Sequence, residues 1–143
     1  MSQQYEWVEE KSKDIRKAMP DFVQVIGGVH CTMVPDDVHK SKLFDYVCVG
    51  EGDWALMELM DALEKGDRPH TLPNFRSWMA GVPVSNPVAP FPDLEKLPPL
   101  DYDVFDMQAV MEETRGWMGI LTSRGCPYTV SYTHLTLPTI LRV

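Results

Sequence analysis

Two short apolar runs, at residues 22–26 and 46–49, stand out in the first half of the chain, and each precedes a segment able to start a helix. Both runs are rich in β-branched and aromatic residues, and both end in glycine, as GG at 27–28 and GEG at 50–52. A buried strand that stops at glycine and turns into a helix is the repeating unit of an open parallel α/β sheet. We therefore predict two parallel strands whose glycine loops lie at one edge, where ligands bind in such sheets.

Three segments around these runs are predicted to be helices, the first and third from an apolar stripe and the second from a proline followed by two acids in its first turn. The first extends from residue 2 to about residue 19 and is ended by Pro20. A second, short helix is predicted to begin at Pro35, and a third covers residues 54–65 and stops at Gly66. We expect these helices to cover the sheet.

From residue 67 onward the pattern changes to short extended segments. Alternating positions at 74–79 and 82–84 predict a small hairpin that turns at residues 80–81. Six of the 12 prolines then fall between residues 83 and 99. This composition is typical of an extended, semi-stiff connector and not of a packed core.

Beyond the connector, residues 110–116 are predicted to be a short polar link and residues 117–122 a third strand. Asp101 and Asp103 flank Tyr102, and paired carboxylates can act as a catalytic pair. No base or metal ligand accompanies them, so turn formation is the favoured interpretation.

Composition narrows the possible functions. The 143 residues are 44% hydrophobic, which suits one domain or a domain with part of another. A net charge of −8 argues against nucleic acid as a partner, because phosphate binding needs a basic surface. No apolar run approaches the roughly 20 residues of a membrane span, and the polar N-terminus is unlike a signal peptide. Three cysteines without paired spacing predict neither a disulfide framework nor a zinc site, so we expect a cytoplasmic protein.

The glycine loops alone do not identify a ligand. Neither matches the G-x-G-x-x-G fingerprint of dinucleotide binding, and Gly-Gly after a strand is commonly only a turn. His30 follows the first pair, but a lone histidine is more often a structural group than a ligand. Glu51 either accepts hydrogen bonds from a ligand or a second domain, or is a solvated turn carboxylate.

The ordered set of motifs is more specific than any one of them. GGVH follows the first strand, GEGD follows the second and precedes a helix, LPPLDYD ends the connector, and TSRGCPYT follows the third strand candidate. This order resembles the cobalamin-binding radical S-adenosylmethionine enzymes over about residues 1–129. The resemblance implies an α/β fold in which residues 1–68 are the second half of a Rossmann-like cobalamin-binding domain with a parallel sheet. Residues 69–116 would be hairpin and connector, and residues 117–129 the first strand of a radical S-adenosylmethionine barrel.

The resemblance also implies the site. The candidates for the cobalamin-facing edge are Gly27, Gly28, His30, Gly50, Glu51 and Gly52. Cys126 would match the first cysteine of the family's C-x₃-C-x₂-C loop, whose thiolates hold a 4Fe–4S cluster that chelates S-adenosylmethionine. Val130 and Thr133 occupy the other two cysteine positions, so this chain is not expected to assemble the cluster. The family's Asp-x-His-x-x-Gly motif is absent, so His30 is not assigned as the cobalt ligand.

Residues 130–143 have their own interpretation. The stretch VSYTHLTLPT looks like the in-frame translation of a sequencing-library adapter, so we expect the natural sequence to depart from this one after Thr129. The alternative is a genuine β-rich tail, since alternating threonine, valine and leucine suits a strand.

The resulting expectation is a fragment of a cobalamin-dependent enzyme of methyl transfer or radical ring formation, itself inactive. A sheet that lacks its leading strands exposes an apolar edge, so association through that edge is expected. Two alternatives remain: a corrinoid carrier or sensor without radical chemistry, and a cofactor-free α/β interaction domain in which both glycine loops are only turns.

Overall fold

The computed structural model describes residues 3–99, 101–119 and 124, which fall into two compact units divided after Leu97. The elements of the first unit are α1 (Gln3–Ala18), β1 (Val25–Ile26), α2 (Val29–Met33), α3 (Pro35–Lys40), β2 (Tyr46–Cys48), α4 (Asp53–Glu64), β3 (Phe75–Met79), β4 (Val82–Ser85) and a 3₁₀ turn at Leu94–Lys96. The described part of the second unit contains α5 (Met107–Glu113). None of the described helices is long and apolar enough to cross a membrane.

The four strands form one open sheet in the order β1-β2-β3-β4. β1 and β2 are parallel, with Val25 opposite Tyr46, as predicted. β3 pairs with β2 in the antiparallel direction, with Phe75 opposite Cys48, and β4 completes the hairpin with Pro83 opposite Trp78. The sheet is therefore mixed: the predicted parallel pair is present, but the hairpin, which was expected to follow a parallel sheet, is part of the same sheet and antiparallel to it.

The direction of β3 follows from the path of the chain after α4. Gly66 adopts a positive φ of 82° and ends the helix. The chain then returns to the carboxyl end of β2, where the backbone N–H of Val49 donates to the carbonyl of Asn74 at 2.8 Å. A strand that starts beside the end of its neighbour must run antiparallel to it. The predicted hairpin is confirmed, and it extends the sheet.

Every residue of β2 is buried, and its side chains alternate between two apolar clusters. The first cluster lies on the side of α1, α2 and α3 and comprises Tyr5, Cys31, Val38, Phe44 and Val47. The second lies on the side of α4 and comprises Tyr46, Cys48, Ala55, Leu59 and Phe75. Helices thus cover both faces of the sheet at β2, which is the α/β arrangement that the sequence predicts.

Arg16 joins α1 to the sheet at the amino ends of the strands. Its guanidinium donates to the carbonyls of Phe22 and Leu43 at 2.8 and 3.2 Å and to the carboxylate of Asp45 at 2.6 Å. The same carboxylate accepts from the backbone N–H of Gln24 at 2.8 Å. A half-buried, hydrogen-bonded pair of this kind fixes the helix more firmly than a solvated surface pair does.

Two helices differ from the sequence-based expectation. α2 begins directly after the glycines, where the sequence predicts only a turn before the helix at Pro35. α5 occupies part of the segment 110–116, so the prediction of a polar link there is wrong. The carboxylate of Asp106 caps α5 by accepting from the N–H of Ala109 at 3.0 Å, which gives the helix a defined start. Of the predicted strand at 117–122, residues 117–119 are described and do not form a strand, and residues 120–122 lie outside the described residues.

Candidate functional site

The carboxyl ends of β1 and β2 lie side by side, because Ile26 is in register with Val47. The loops that follow these two strands, residues 27–28 and 50–52, are therefore neighbours at one edge of the sheet. The juxtaposition of the two glycine loops that the sequence predicts is present. We call this region the glycine edge.

Thr32 connects the two loops. Its hydroxyl donates to the carbonyl of Gly28 at 3.0 Å and accepts from the backbone N–H of Gly50 at 3.0 Å. The first bond is the familiar return of a helical threonine to the carbonyl four residues earlier. Thr32 is not among the sequence-predicted site residues, although its position four residues after Gly28 is an available signal.

The glycines of this edge have different physical roles. A Cβ atom on Gly27 would lie 3.3 Å from the Cβ of Cys48, and one on Gly52 would lie 3.5 Å from its sulfur, so both loops pass close over that side chain. Gly28 is exposed, has a positive φ of 96° and would meet no atom within 4 Å. The backbone of Gly28 is thus open to solvent, in a conformation that glycine adopts without strain.

Gly50 is covered by the proline-rich connector. Its φ is 82°, and a Cβ atom there would lie 3.0 Å from a methyl group of Val88. Any side chain at this position would therefore be strained by its backbone and would also displace the connector. The connector is thus part of the glycine edge.

Asn74 holds the connector in place. Its side chain is 4% exposed, donates from Nδ2 to the carbonyl of Glu51 and accepts at Oδ1 from the N–H of Ala89, both at 2.5 Å. Its own N–H donates to the carbonyl of Pro87 at 2.9 Å. Asn74 also has a positive φ of 67°, a conformation that asparagine tolerates better than most residues. Nothing in the local sequence distinguishes Asn74 from an ordinary strand-end asparagine.

A shallow groove of about 90 Å³ lies beside Glu51, between α4 and the connector. Asp53, Trp54 and Glu58 line it from the helix, and prolines line it from the connector. Small-molecule sites usually have volumes of about 300–1,000 Å³. The groove therefore has room for a peripheral group of a large cofactor but not for the whole of one.

His30 lies within α2 with its ring against α1. The imidazole stacks on Tyr5 with ring centroids 4.2 Å apart and ring planes inclined at 22°. Its Nε2 is buried and has no hydrogen-bond partner among the described residues. A role for His30 in binding a cofactor remains a prediction.

The two described cysteines are buried free thiols. Burial, and then the proximity of Cys48, raise the pKa of Cys31 to about 11. The pKa of Cys48 is raised by burial and by the nearby carboxylates of Glu51 and Asp53. Because metals and electrophiles react with thiolates, these neutral thiols are poor ligands and poor nucleophiles.

No cluster of three or more histidine, cysteine or acidic side chains able to hold a metal occurs within the described ranges. Cys126, the predicted cluster ligand, lies outside those ranges, as do Val130 and Thr133. The tail from residue 130 to residue 143 lies outside them too.

Comparison with known proteins gives two distant matches and no match to a family model. The chain is 28% identical over 115 residues to an uncharacterised methyltransferase of Pyrococcus horikoshii, covering 79% of this chain and 25% of that protein. It is 28% identical over 134 residues to the anaerobic magnesium-protoporphyrin IX monomethyl ester cyclase of Rubrivivax gelatinosus, covering 86% of this chain and 24% of that protein. The chain spans about a quarter of the length of these curated relatives. Its distant relatives are thus a methyltransferase and a cyclase.

Proposed function

We propose that this chain is a fragment of a cobalamin-dependent radical S-adenosylmethionine enzyme that transfers methyl groups or closes rings, and that its glycine edge faces the cobalamin. The observation that carries the proposal is the meeting of the two glycine loops at the carboxyl edge of the parallel pair, joined through Thr32. Ligands of open α/β sheets bind at this edge. The two relatives are named as a methyltransferase and a cyclase, in agreement with the proposed reaction classes.

The residues of the glycine edge fit part of a corrinoid. Gly28 offers unobstructed backbone, and the adjacent Val29 is 81% exposed, so an apolar surface lies next to polar backbone groups. The groove beside Glu51 suits a peripheral group. Bound cobalamin supplies a cobalt centre able to carry a methyl group. The task of the chain's own residues would be to bind and orient that cofactor by one side.

The residues do not fit a 4Fe–4S cluster in this chain. The proposed ligand in the parent enzyme is Cys126, but Val130 and Thr133 have no thiolate to offer. We assign cluster binding and reductive cleavage of S-adenosylmethionine to the parent enzyme and derive no step through the cluster here. A chain with this sequence is proposed to be inactive.

Titration of the chain with hydroxocobalamin, followed by visible absorbance, tests the binding proposal. The expected result is a saturable change in the cobalt spectrum, weakened by Gly28→Ala because the new methyl group blocks the open backbone. Gly66→Ala is the matched control, since Gly66 also has a positive φ and open space around it but lies at the far end of α4. The proposal is refuted by the absence of a spectral change at about 1 mM corrinoid. Equal effects of the two substitutions refute the role of Gly28.

Sequencing of the source DNA across codons 129–133 with long reads tests the enzyme assignment. Cysteine codons at 130 and 133 support the radical enzyme and identify residues 130–143 as foreign. Confirmation of Val130 and Thr133 in the genome contradicts it. Binding of the corrinoid in that case would favour a carrier or sensor module.

A further inference from the structure

A second cavity lies at the end of the sheet opposite to the glycine edge, beside the amino end of β2 and the turn of the β3–β4 hairpin. Its volume is about 340 Å³, within the range of small-molecule sites. We call it the cationic pocket; its side-chain lining comprises Lys42, Phe44, Asp45, Tyr46, Arg68, His70 and Trp78. It does not share a lining residue with the groove beside Glu51.

The floor and walls of the cationic pocket are fixed by contacts within the protein. Phe44 and Tyr46 are buried core residues. The indole N–H of Trp78 donates to the carbonyl of His39 at 3.2 Å, and its ring packs on the imidazole of His39 with centroids 4.6 Å apart. The aromatic walls are therefore already in place without a ligand, which reduces the entropy that binding would cost.

Two cations at the rim have no carboxylate partner in the part of the chain that the structure describes. Lys42 places its ammonium 4.6 Å from the centroid of Trp78, and Arg68 is exposed at the rim. The six ion pairs of the described residues include neither of them. Asp45, the one acid lining the pocket, is already bound by Arg16.

His70 adds a polar group to the wall. Its Nδ1 is hydrogen bonded to the buried hydroxyl of Ser77 at 3.0 Å, and its ring stacks against Tyr46 with centroids 6.5 Å apart. Because Lys42 and Arg68 line the pocket against a single acid, Asp45, the pocket is locally positive in a chain whose net charge is −8. A concave site lined by one sign of charge concentrates ligands of the opposite sign.

We infer that the cationic pocket binds a small phosphate monoester with a planar ring, of about the size of a mononucleotide. Arg68 and Lys42 bind the phosphate, since a guanidinium and an ammonium together match a doubly charged oxyanion. The half-buried rings of His70 and Trp78 contact the ligand's ring. Two cations suffice for one phosphate group but not for a nucleic acid strand, in agreement with the acidic chain. The inference does not depend on the proposed function.

Isothermal titration of the intact chain with AMP, adenosine and inorganic phosphate tests this assignment. We expect AMP to bind with a dissociation constant at or below about 1 mM. Adenosine and phosphate should each bind at least tenfold more weakly, because adenosine lacks the phosphate and inorganic phosphate lacks the planar ring. The indole N–H signal of Trp78 in ¹⁵N NMR, assigned with Trp78→Phe, should shift on addition of AMP.

Charge variants provide the decisive comparison. Arg68→Gln and Lys42→Gln should each weaken AMP binding by about tenfold or more, as expected for loss of a hydrogen bond to a charged group. Lys11→Gln, which removes the same charge from the exposed surface of α1, should change it less than about twofold. No binding of AMP, binding of adenosine equal to that of AMP, or equal effects of all three variants would overturn the inference. Because all three side chains are exposed, these substitutions are not expected to unfold the protein.

Discussion

Replacement of Asn74 is the sharpest test of how the connector is held on the glycine edge. In Asn74→Ala, the carbonyl of Glu51 and the N–H of Ala89 both lose their side-chain partner. Each lost bond is worth about 0.5–1.5 kcal/mol. The alanine must also keep the positive φ of this position, at a cost of about 1–2 kcal/mol. Since Glu51 and Ala89 are only half-buried and water can partly replace the bonds, we expect a total loss of about 2–3 kcal/mol.

Asn74→Gly separates the two contributions. The glycine variant also loses both hydrogen bonds, but it adopts the positive φ without strain. Its unfolded chain is more flexible than that of the alanine variant, which lowers its stability by about 0.4–1 kcal/mol. Asn74→Gly should therefore be more stable than Asn74→Ala by about 0.5–1 kcal/mol. Equilibrium unfolding in urea, followed by far-UV circular dichroism, measures both free energies. Gln4→Ala on the exposed side of α1 is the control and should lie within about 0.5 kcal/mol of the parent chain.

A loss of less than about 0.5 kcal/mol in Asn74→Ala would refute the assignment of Asn74 as the residue that holds the connector. An alanine variant as stable as the glycine variant would refute the part of the reasoning that concerns backbone conformation. The two results are independent, so hydrogen bonding and backbone strain can be judged separately.

Two further predictions concern the neighbourhood of the glycine edge. Thr32→Val should lower the free energy of unfolding by about 1 kcal/mol and speed hydrogen exchange at the Gly50 amide. Thr32→Ser keeps the hydroxyl and should do neither. Equal exchange rates in the two variants would contradict the hydrogen bond between the Thr32 hydroxyl and the Gly50 N–H. The raised pKa of Cys31 stabilises the fold below the ordinary value of 9.0, and this stability should be lost as pH rises towards about 11, because the unfolded thiol ionises first. Urea unfolding at a series of pH values across that interval measures the loss. If the free energy of unfolding falls with pH equally steeply in Cys31→Ala, another group causes the loss.

The elements that sequence predicts well are those set by local pattern. β2 is an apolar run bounded by glycine, α4 has a continuous apolar stripe ended by Gly66, and the hairpin turns at a glycine. Each depends on the conformational preferences of a few consecutive residues. These elements are present in the structure because the conformation that each segment prefers locally is also the one that the packing of the whole domain requires.

The direction of β3 and the cationic pocket could not be predicted in the same way. Both depend on residues brought together from distant parts of the chain, such as Lys42 with Trp78. α5 differs from the prediction for another reason: its start is marked only by the capping side chain of Asp106. The association of the glycine loops was predictable because parallel neighbouring strands must end at the same edge. Thr32 and Asn74, which join those loops to α2 and to the connector, act through side chains whose partners no short pattern specifies.

The proline in β4 limits how copies of this chain can assemble. β4 is an edge strand of the described sheet, and Pro83 leaves its outer side without one backbone donor, which disfavours addition of another strand there. The opposite edge, β1, offers two residues and no proline. If β1 of one copy pairs with β1 of a second copy, the β1 edge of each chain is covered. Only the two β4 strands, each with its proline, then remain as edges, so assembly is complete at two chains. Self-association through this sheet should therefore give a closed dimer and not a growing fibre.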